Sequence, residues 1–140
     1  MLKNISNFIS PELFKILMEM GHGDELIIAD GNFPGYSLAD KVIPYYGVGI
    51  EMILEEILQY FPLDDFDDFN TILMREPQNE SGIPDIWKKY RKIFKEKKVN
   101  TNIKLLKRKS FYIRAKKSYV IIMTNDKTSY ANIILKKGCV

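Results

Sequence analysis

The chain has little of the chemistry that most enzymes use. Its 140 residues include one histidine, His22, and one cysteine, Cys139, which lies next to the C-terminus. A single cysteine cannot form an intrachain disulfide. One imidazole and one thiol are also too few ligands for a zinc or other transition-metal centre. We therefore expect neither a disulfide nor a metal site.

Long apolar runs and nucleotide-binding motifs are also missing. No stretch approaches the roughly 18 apolar residues of a membrane-spanning helix, and the first ten residues show no signal-peptide pattern. We therefore expect a cytoplasmic protein without a membrane partner. There is no phosphate loop, dinucleotide fingerprint or nucleophile elbow. The net charge of +3 comes from dispersed residues, so we expect no nucleic-acid partner.

What the chain does have is the composition of an ordinary globular protein, with 46% hydrophobic and 28% charged residues. Its length suits one core, and no repeat or linker divides it, so we expect a single domain over residues 1–140. The patterning predicts strands over residues 25–29, 41–44, 71–74, 103–106, 119–123 and 130–135, and helices after Ser10-Pro11 and over 50–61, 83–97 and 110–117. This alternation favours a layered α/β domain with helices packed on a mostly parallel or mixed β-sheet.

Three further stretches have simple interpretations. Residues 63–69 contain four aspartates, which is typical of a solvated loop, and residues 77–82 also read as a loop. Helix 83–97 carries lysines opposite an apolar, core-facing side formed by Ile83, Ile86, Trp87, Tyr90, Ile93 and Phe94. We interpret these lysines as a solvated surface.

The polar chemistry is concentrated around the turn Gly21-His22-Gly23. We expect Gly21 to cap the preceding helix and His22 to lie in the turn before strand 25–29. Asp30 directly follows that strand. About six residues at roughly 3.3 Å each place the two side chains near opposite ends of the strand. If both belong to one site, a neighbouring subunit or another loop must bring them together.

On chemistry alone, two interpretations of His22 stay open. A histidine between glycines can be a polar turn residue or a cation at the end of a helix. It can also be an acid–base group, because imidazole exchanges protons near neutral pH and glycine allows a ligand to approach closely. The other candidate polar groups are Asp30, Arg108, Tyr112, Tyr130 and Asn132. Such a set suits a reaction that moves protons without a covalent enzyme intermediate.

Several blocks of the sequence resemble the fucose mutarotase and ribose pyranase family. They are Gly21-His22-Gly23-Asp24-Glu25, Asn32-Phe33-Pro34, Phe111-Tyr112 with Arg114-Ala115, and Tyr130-Ala131-Asn132. The blocks occur in the family's order over nearly the whole chain. The first three resemble the fucose branch, whereas the last also occurs in the ribose branch.

The resemblance implies a cofactor-independent enzyme that interconverts the anomers of a free monosaccharide, L-fucose above all. The positions that match the family's functional residues are His22 for the proton donor, Asp30 for a sugar-binding carboxylate, Arg108 for a basic sugar ligand, and Tyr130 and Asn132 for further sugar contacts. A shift of one residue would select Lys107 in place of Arg108. The resemblance also implies a ring-forming homo-oligomer, a pentamer or decamer, with its site near a subunit boundary.

The chain departs from the fucose branch at three places. It has Ile113 where a glutamate is frequent, Asn125-Asp126 where Gly-Glu is frequent, and Pro44-Tyr45-Tyr46-Gly47 in place of an Arg-Ala-Asp-Gly stretch. These changes leave His22 and Asp30 in place and bear on the identity of the sugar. Two alternatives therefore stay open: a D-ribose pyranase, and a sugar-binding ring without catalytic activity.

Overall fold

A computed structural model describes residues 1–75 and 82–140 of the protein. The elements in chain order are α1 (Pro11–Glu19), β1 (Glu25–Ala29), α2 (Gly35–Leu38), β2 (Val42–Pro44), α3 (Ile50–Ile57), β3 (Thr71–Met74), α4 (Asp85–Glu96), β4 (Ile103–Leu106), α5 (Arg108–Ala115), β5 (Val120–Met123) and β6 (Ile133–Lys136). Within the described ranges, no helix is long and apolar enough to cross a membrane.

The six strands form one open, mixed sheet in the order β2-β5-β1-β6-β3-β4. β1 pairs in parallel with β5 on one side and antiparallel with β6 on the other. β6 also runs antiparallel to β3, whereas the two outer pairs, β2–β5 and β3–β4, are parallel. The predicted fold class, a single α/β domain with helices on a mixed sheet, is confirmed.

Alternate residues of each central strand face two separate cores. In β1, Leu26 and Ile28 join the core on one face, and Ile27 and Ala29 join the core on the other. This follows from the two-residue period of a strand, which turns successive side chains to opposite faces. The first core receives the apolar stripes of α1, α3 and α4, and the second receives Phe33 and the buried side of α5. Both faces of β1 are therefore buried, and polar chemistry is confined to its two ends.

Three sequence predictions need correction, and the structure does not test a fourth. Helix α1 ends with Met20 in an extended conformation, and the left-handed glycine of the turn is Gly23, with φ +85°, not Gly21. The last strand begins at Ile133, because Tyr130 has a positive φ of 58° that breaks an extended chain. Helix α4 begins at Asp85, so the predicted apolar residue Ile83 lies before it and is exposed. Residues 77–81 of the predicted loop 77–82 lie outside the described ranges.

The loop after α3 is held against β6 by a close backbone approach at Gly138. The amide of Gly138 donates to the carbonyl of Pro62, and Leu63 forms a bridge with Lys137. A β-carbon added to Gly138 would lie 2.5 Å from the Leu63 carbonyl oxygen and 2.9 Å from the Asp64 nitrogen. A side chain at position 138 would therefore push the backbone of this loop away from the sheet.

We expect Gly138→Ala to lower the free energy of unfolding by about 1–3 kcal/mol, the usual cost of overpacking. Urea denaturation followed by tryptophan fluorescence measures this change. The matched control is Gly21→Ala, because Gly21 has a negative φ and a β-carbon there would meet nothing closer than 3.6 Å. Equal stability of the two variants would contradict the close approach.

Candidate active site

β1 carries one polar residue at each end. His22 lies in the turn before the strand, where the amide of Gly23 donates to the carbonyl of Lys137. Asp30 follows the last residue of the strand. Five strand residues at roughly 3.3 Å each put the two ends about 15 Å apart. The structure thus places His22 and Asp30 in separate surroundings within one chain.

The ring of His22 is half-exposed and is fixed by two contacts. Its Nε2 lies 2.9 Å from Oδ1 of Asp64. The ring of Phe66 packs against it at a tilt, with 5.2 Å between ring centroids. Phe66 is itself largely exposed, so it forms an apolar wall beside the imidazole. Both contacts come from the loop between α3 and β3.

Asp64 corrects the prediction that residues 63–69 are simply a solvated loop. Its side chain is only 1% exposed. It accepts hydrogen bonds from His22 and from the backbone amides of Phe66 and Asp67. The hydrogen bond from His22 holds the pKa of the Asp64 carboxyl below its ordinary value, with help from the two amides, although burial acts in the opposite direction. The carboxyl is therefore ionised at neutral pH.

At the other end of β1, Asp30 and Asn132 form a reciprocal pair. The amide nitrogen of Asp30 donates to Oδ1 of Asn132 at 2.8 Å, and Nδ2 of Asn132 donates to Oδ2 of Asp30 at 2.7 Å. The second carboxylate oxygen accepts from the backbone amide of Asn32. Both paired side chains are buried. The pair ties the C-terminal end of β1 to the segment before β6.

An open cavity of about 500 Å³ lies over this pair. Arg108 lines it from the first turn of α5, together with Tyr112, and Lys107 is not among the lining residues. Tyr130 lines it from the turn before β6. The structure therefore brings together four of the five predicted site residues, Asp30, Arg108, Tyr130 and Asn132. It leaves the fifth, His22, at the opposite end of the strand.

The apolar part of the same cavity is formed by Phe33 and Met74. Phe33 makes edge-to-face contacts with Phe111 at 5.9 Å and with Tyr112 at 5.4 Å between ring centroids. These contacts fix the aromatic wall in position. The cavity thus combines a cluster of hydrogen-bonding groups with one apolar side.

Two residues that sequence reasoning assigned only to the core also shape the site. Nε1 of Trp87 donates to the carbonyl of Tyr130 at 2.9 Å, and the hydroxyl of Tyr90 donates to the carbonyl of Ala131 at 2.5 Å. They hold the backbone at Tyr130 in its left-handed conformation, which costs about 1–3 kcal/mol for a residue of this kind. The sequence does contain an indication of this role, because a buried indole N–H or phenol O–H on the apolar face of a helix requires a hydrogen-bond partner in another segment.

The described residues offer no metal site. Nowhere in residues 1–75 and 82–140 do three or more His, Cys, Asp or Glu side chains come together in a way that could hold a metal ion. The arrangement at both ends of β1 is one of hydrogen-bond donors and acceptors. It suits the binding of hydroxyl groups and the exchange of protons.

Comparison with known proteins identifies the family. Residues 3–140 match the RbsD / FucU transport protein family. The chain belongs to this family. It is 39% identical over 139 residues to an L-fucose mutarotase of Haemophilus influenzae (strain PittGG), and the match covers 99% of this chain and 96% of that protein. The resemblance predicted from the sequence blocks is confirmed.

Solved structures of the family agree closely with this fold. The crystal structure of the fucose mutarotase in complex with L-fucose from Streptococcus pneumoniae has a TM-score of 0.94 and 45% sequence identity, with 99% of each chain covered. The crystal structure of FucU from Bifidobacterium longum has a TM-score of 0.91 and 42% identity, again with 99% of each chain covered. The similarity extends over the whole fold, including both ends of β1.

We expect Asn132→Ala to lower the free energy of unfolding by about 2–3 kcal/mol, because the buried carboxylate of Asp30 loses a donor and the Asp30 amide loses its acceptor. Urea denaturation at fixed protein concentration measures the change. Asn125→Ala is the matched control, since Asn125 accepts only an exposed hydrogen bond from Gly47. A cost for Asn132→Ala no larger than that of the control would contradict the pairing.

Proposed function

We propose that the protein is a cofactor-independent isomerase that interconverts the anomers of a free monosaccharide, with L-fucose as the preferred substrate. The observation that carries this proposal is the cavity at Asp30, where a carboxylate, a carboxamide, a guanidinium and a phenol converge. The similarity to proteins named for fucose, at 39–45% identity over nearly the full chain, supports the choice of sugar. The apolar side formed by Phe33 and Met74 suits the methyl group of a 6-deoxy sugar.

Ring opening and closure of a sugar need no cofactor, because the only net transfer is that of one proton between two sugar oxygens. A pyranose opens when O1 loses its proton, the C1–O5 bond breaks with its electron pair going to O5, and O5 gains a proton. The bond between C1 and O1 becomes a carbonyl, so one proton has moved from O1 to O5 and no other atom has been gained or lost. Rotation about C1–C2 and reversal of these steps give the other anomer. A group that both accepts and donates protons near neutral pH accelerates each step.

We assign the proton exchange to His22, whose half-exposed ring is the only imidazole in the chain. The Asp30 carboxylate accepts hydrogen bonds from sugar hydroxyls, and the Asn132 carboxamide can both accept and donate. Arg108 donates to further sugar oxygens. Tyr130 supplies a phenolic hydroxyl and an aromatic face. Because a neutral sugar carries no phosphate, this set binds it without a phosphate loop.

The two ends of β1 combine into one site when two subunits meet. Within one chain His22 lies too far from the Asp30 cavity to reach a sugar bound there. A cyclic oligomer places one face of a subunit against a different face of its neighbour, so the His22 end of one chain can adjoin the Asp30 cavity of the next. We therefore propose a ring, a pentamer or a decamer of two rings, that acts in the cytoplasm.

The test is magnetisation-exchange NMR on equilibrated sugars, recorded with and without the protein in the presence of a metal chelator. Exchange between the anomer signals of L-fucose supports the proposal. Exchange confined to the pyranose and furanose signals of D-ribose would show the ribose pyranase activity instead. Line broadening without exchange would show a sugar-binding protein that is not an enzyme. Loss of exchange in the chelator, restored by one added metal, would contradict the cofactor-independent mechanism.

A further inference from the structure

Asp64 is the residue outside the matched sugar-binding set that contacts His22 most directly. Its Oδ1 is 2.9 Å from Nε2 of the imidazole. In the described part of the chain, no hydrogen bond is made to the other ring nitrogen, Nδ1. The two nitrogens of the imidazole are therefore distinguished by the protein before any sugar binds.

The position of Asp64 does not depend on His22. Its backbone carbonyl accepts from Nδ2 of Asn70 at 2.8 Å, and its backbone amide donates to the carbonyl of Lys136 at 3.0 Å. Its carboxylate accepts from the amides of Phe66 and Asp67 and lies 3.9 Å from the ammonium of Lys136. The carboxylate is therefore a fixed, buried acceptor that orients the half-exposed imidazole.

A carboxylate can only accept hydrogen bonds, so the nitrogen that faces it must carry a proton. We propose, on the basis of the proposed function, that Asp64 is a positioning residue. It holds the neutral His22 ring with its proton on Nε2 and leaves the Nδ1 lone pair as the base that takes the proton from the sugar. When Nδ1 has taken that proton, the imidazolium keeps its Nε2 hydrogen bond to Asp64 and returns a proton from Nδ1. Asp64 itself stays ionised throughout.

Asparagine at position 64 should reverse this arrangement. If its NH₂ group replaced Oδ2, it would face the amide of Asp67 and the ammonium of Lys136, which are both donors. If it replaced Oδ1, it would face the weaker 3.3 Å donor at Phe66 and the ring of His22, which can change tautomer and accept. The second orientation leaves fewer donors unpaired. It would place the proton of His22 on Nδ1 and remove the working base.

The tautomer can be read directly, because the chain has one histidine and its signals need no assignment. Long-range ¹H–¹⁵N correlation spectra of uniformly labelled protein, recorded well above neutral pH, distinguish a protonated from an unprotonated ring nitrogen. We expect the proton on Nε2 in the wild type, on Nδ1 in Asp64→Asn, and on Nε2 in the control Asp65→Asn, which removes a charge from an exposed neighbour. A wild-type ring protonated on Nδ1, or no change in Asp64→Asn, would overturn the proposal.

Kinetics provide the second measurement. We expect Asp64→Asn to lower the maximal rate of anomer exchange by about 10²-fold, at an unchanged half-saturating sugar concentration, because positioned acid–base groups contribute on this scale. Asp65→Asn should exchange at the wild-type rate. Exchange by Asp64→Asn within about threefold of wild type would overturn the proposal. If the wild type exchanged no sugar anomers, the proposed function would fail, and the wild-type tautomer would still decide whether Asp64 positions the ring even if Asp64→Asn did not fold.

Discussion

We expect His22→Ala to lower the rate of anomer exchange by about 10²-fold or more, because it removes a positioned proton-transfer group. Magnetisation-exchange NMR on the preferred sugar measures the rate. Sugar binding should weaken far less, because the Asp30 cavity contains none of the atoms of His22 from the same chain. The fluorescence of Trp87, the only tryptophan, should report binding, because Nε1 of Trp87 donates a hydrogen bond to the carbonyl of Tyr130 beside the cavity.

His22→Gln separates the shape of the side chain from its proton chemistry. The glutamine amide can donate to the ionised carboxylate of Asp64, as Nε2 does in the wild type, but it does not exchange protons near neutral pH. We expect the same loss of exchange as in His22→Ala with stability closer to wild type. If either variant kept near-normal exchange, His22 would have no part in the mechanism.

Much of the fold could be predicted because its central strands are short and buried on both faces. The predicted bounds of β1, β3 and β4 match the structure, and the apolar stripe of α4 contains Trp87 and Tyr90 as expected. Local pattern specifies β1 and β3 through an apolar run typical of a buried strand, and α4 through the 3.6-residue repeat of an amphipathic helix. The prediction failed at Tyr130, where contacts from a distant helix fix the backbone.

The site shows the same division between local and distant contacts. Asp30 and His22 could be located because they flank one strand. Their surroundings could not be inferred from the residues alone, since Asn132 is 102 positions from Asp30 and Asp64 is 42 positions from His22. In the sequence, Asp64 is one of four aspartates with nothing local to distinguish it. It becomes buried because Gly138 lets the end of the chain lie directly against this loop.

Two inactive variants should restore activity to each other if the site is shared between subunits. His22→Ala keeps the Asp30 cavity, and Asp30→Ala keeps the imidazole, so each variant has one intact half. In a mixed ring, some interfaces join the intact imidazole of one chain to the intact cavity of the next. Random assembly at equal amounts makes about a quarter of the interfaces complete, because each of two neighbours must be the right variant.

The experiment is co-expression of the two variants, followed by measurement of anomer exchange on the purified mixture. Sedimentation velocity should show one species of five or ten chain masses in the wild type, in each variant and in the mixture. We expect exchange at about a quarter of the wild-type rate, which exceeds the residual rate of either variant alone by more than about tenfold.

Co-expression of His22→Ala with Asp64→Asn serves as the control, because both lesions lie in the same half of the site. That mixture should exchange no faster than its faster member does alone. If the mixture of His22→Ala and Asp30→Ala exchanged no faster than this control mixture, the shared site would be contradicted. His22 and Asp30 would then have to act within one chain, which would require the loop that carries Phe66 to move along β1 toward the Asp30 cavity.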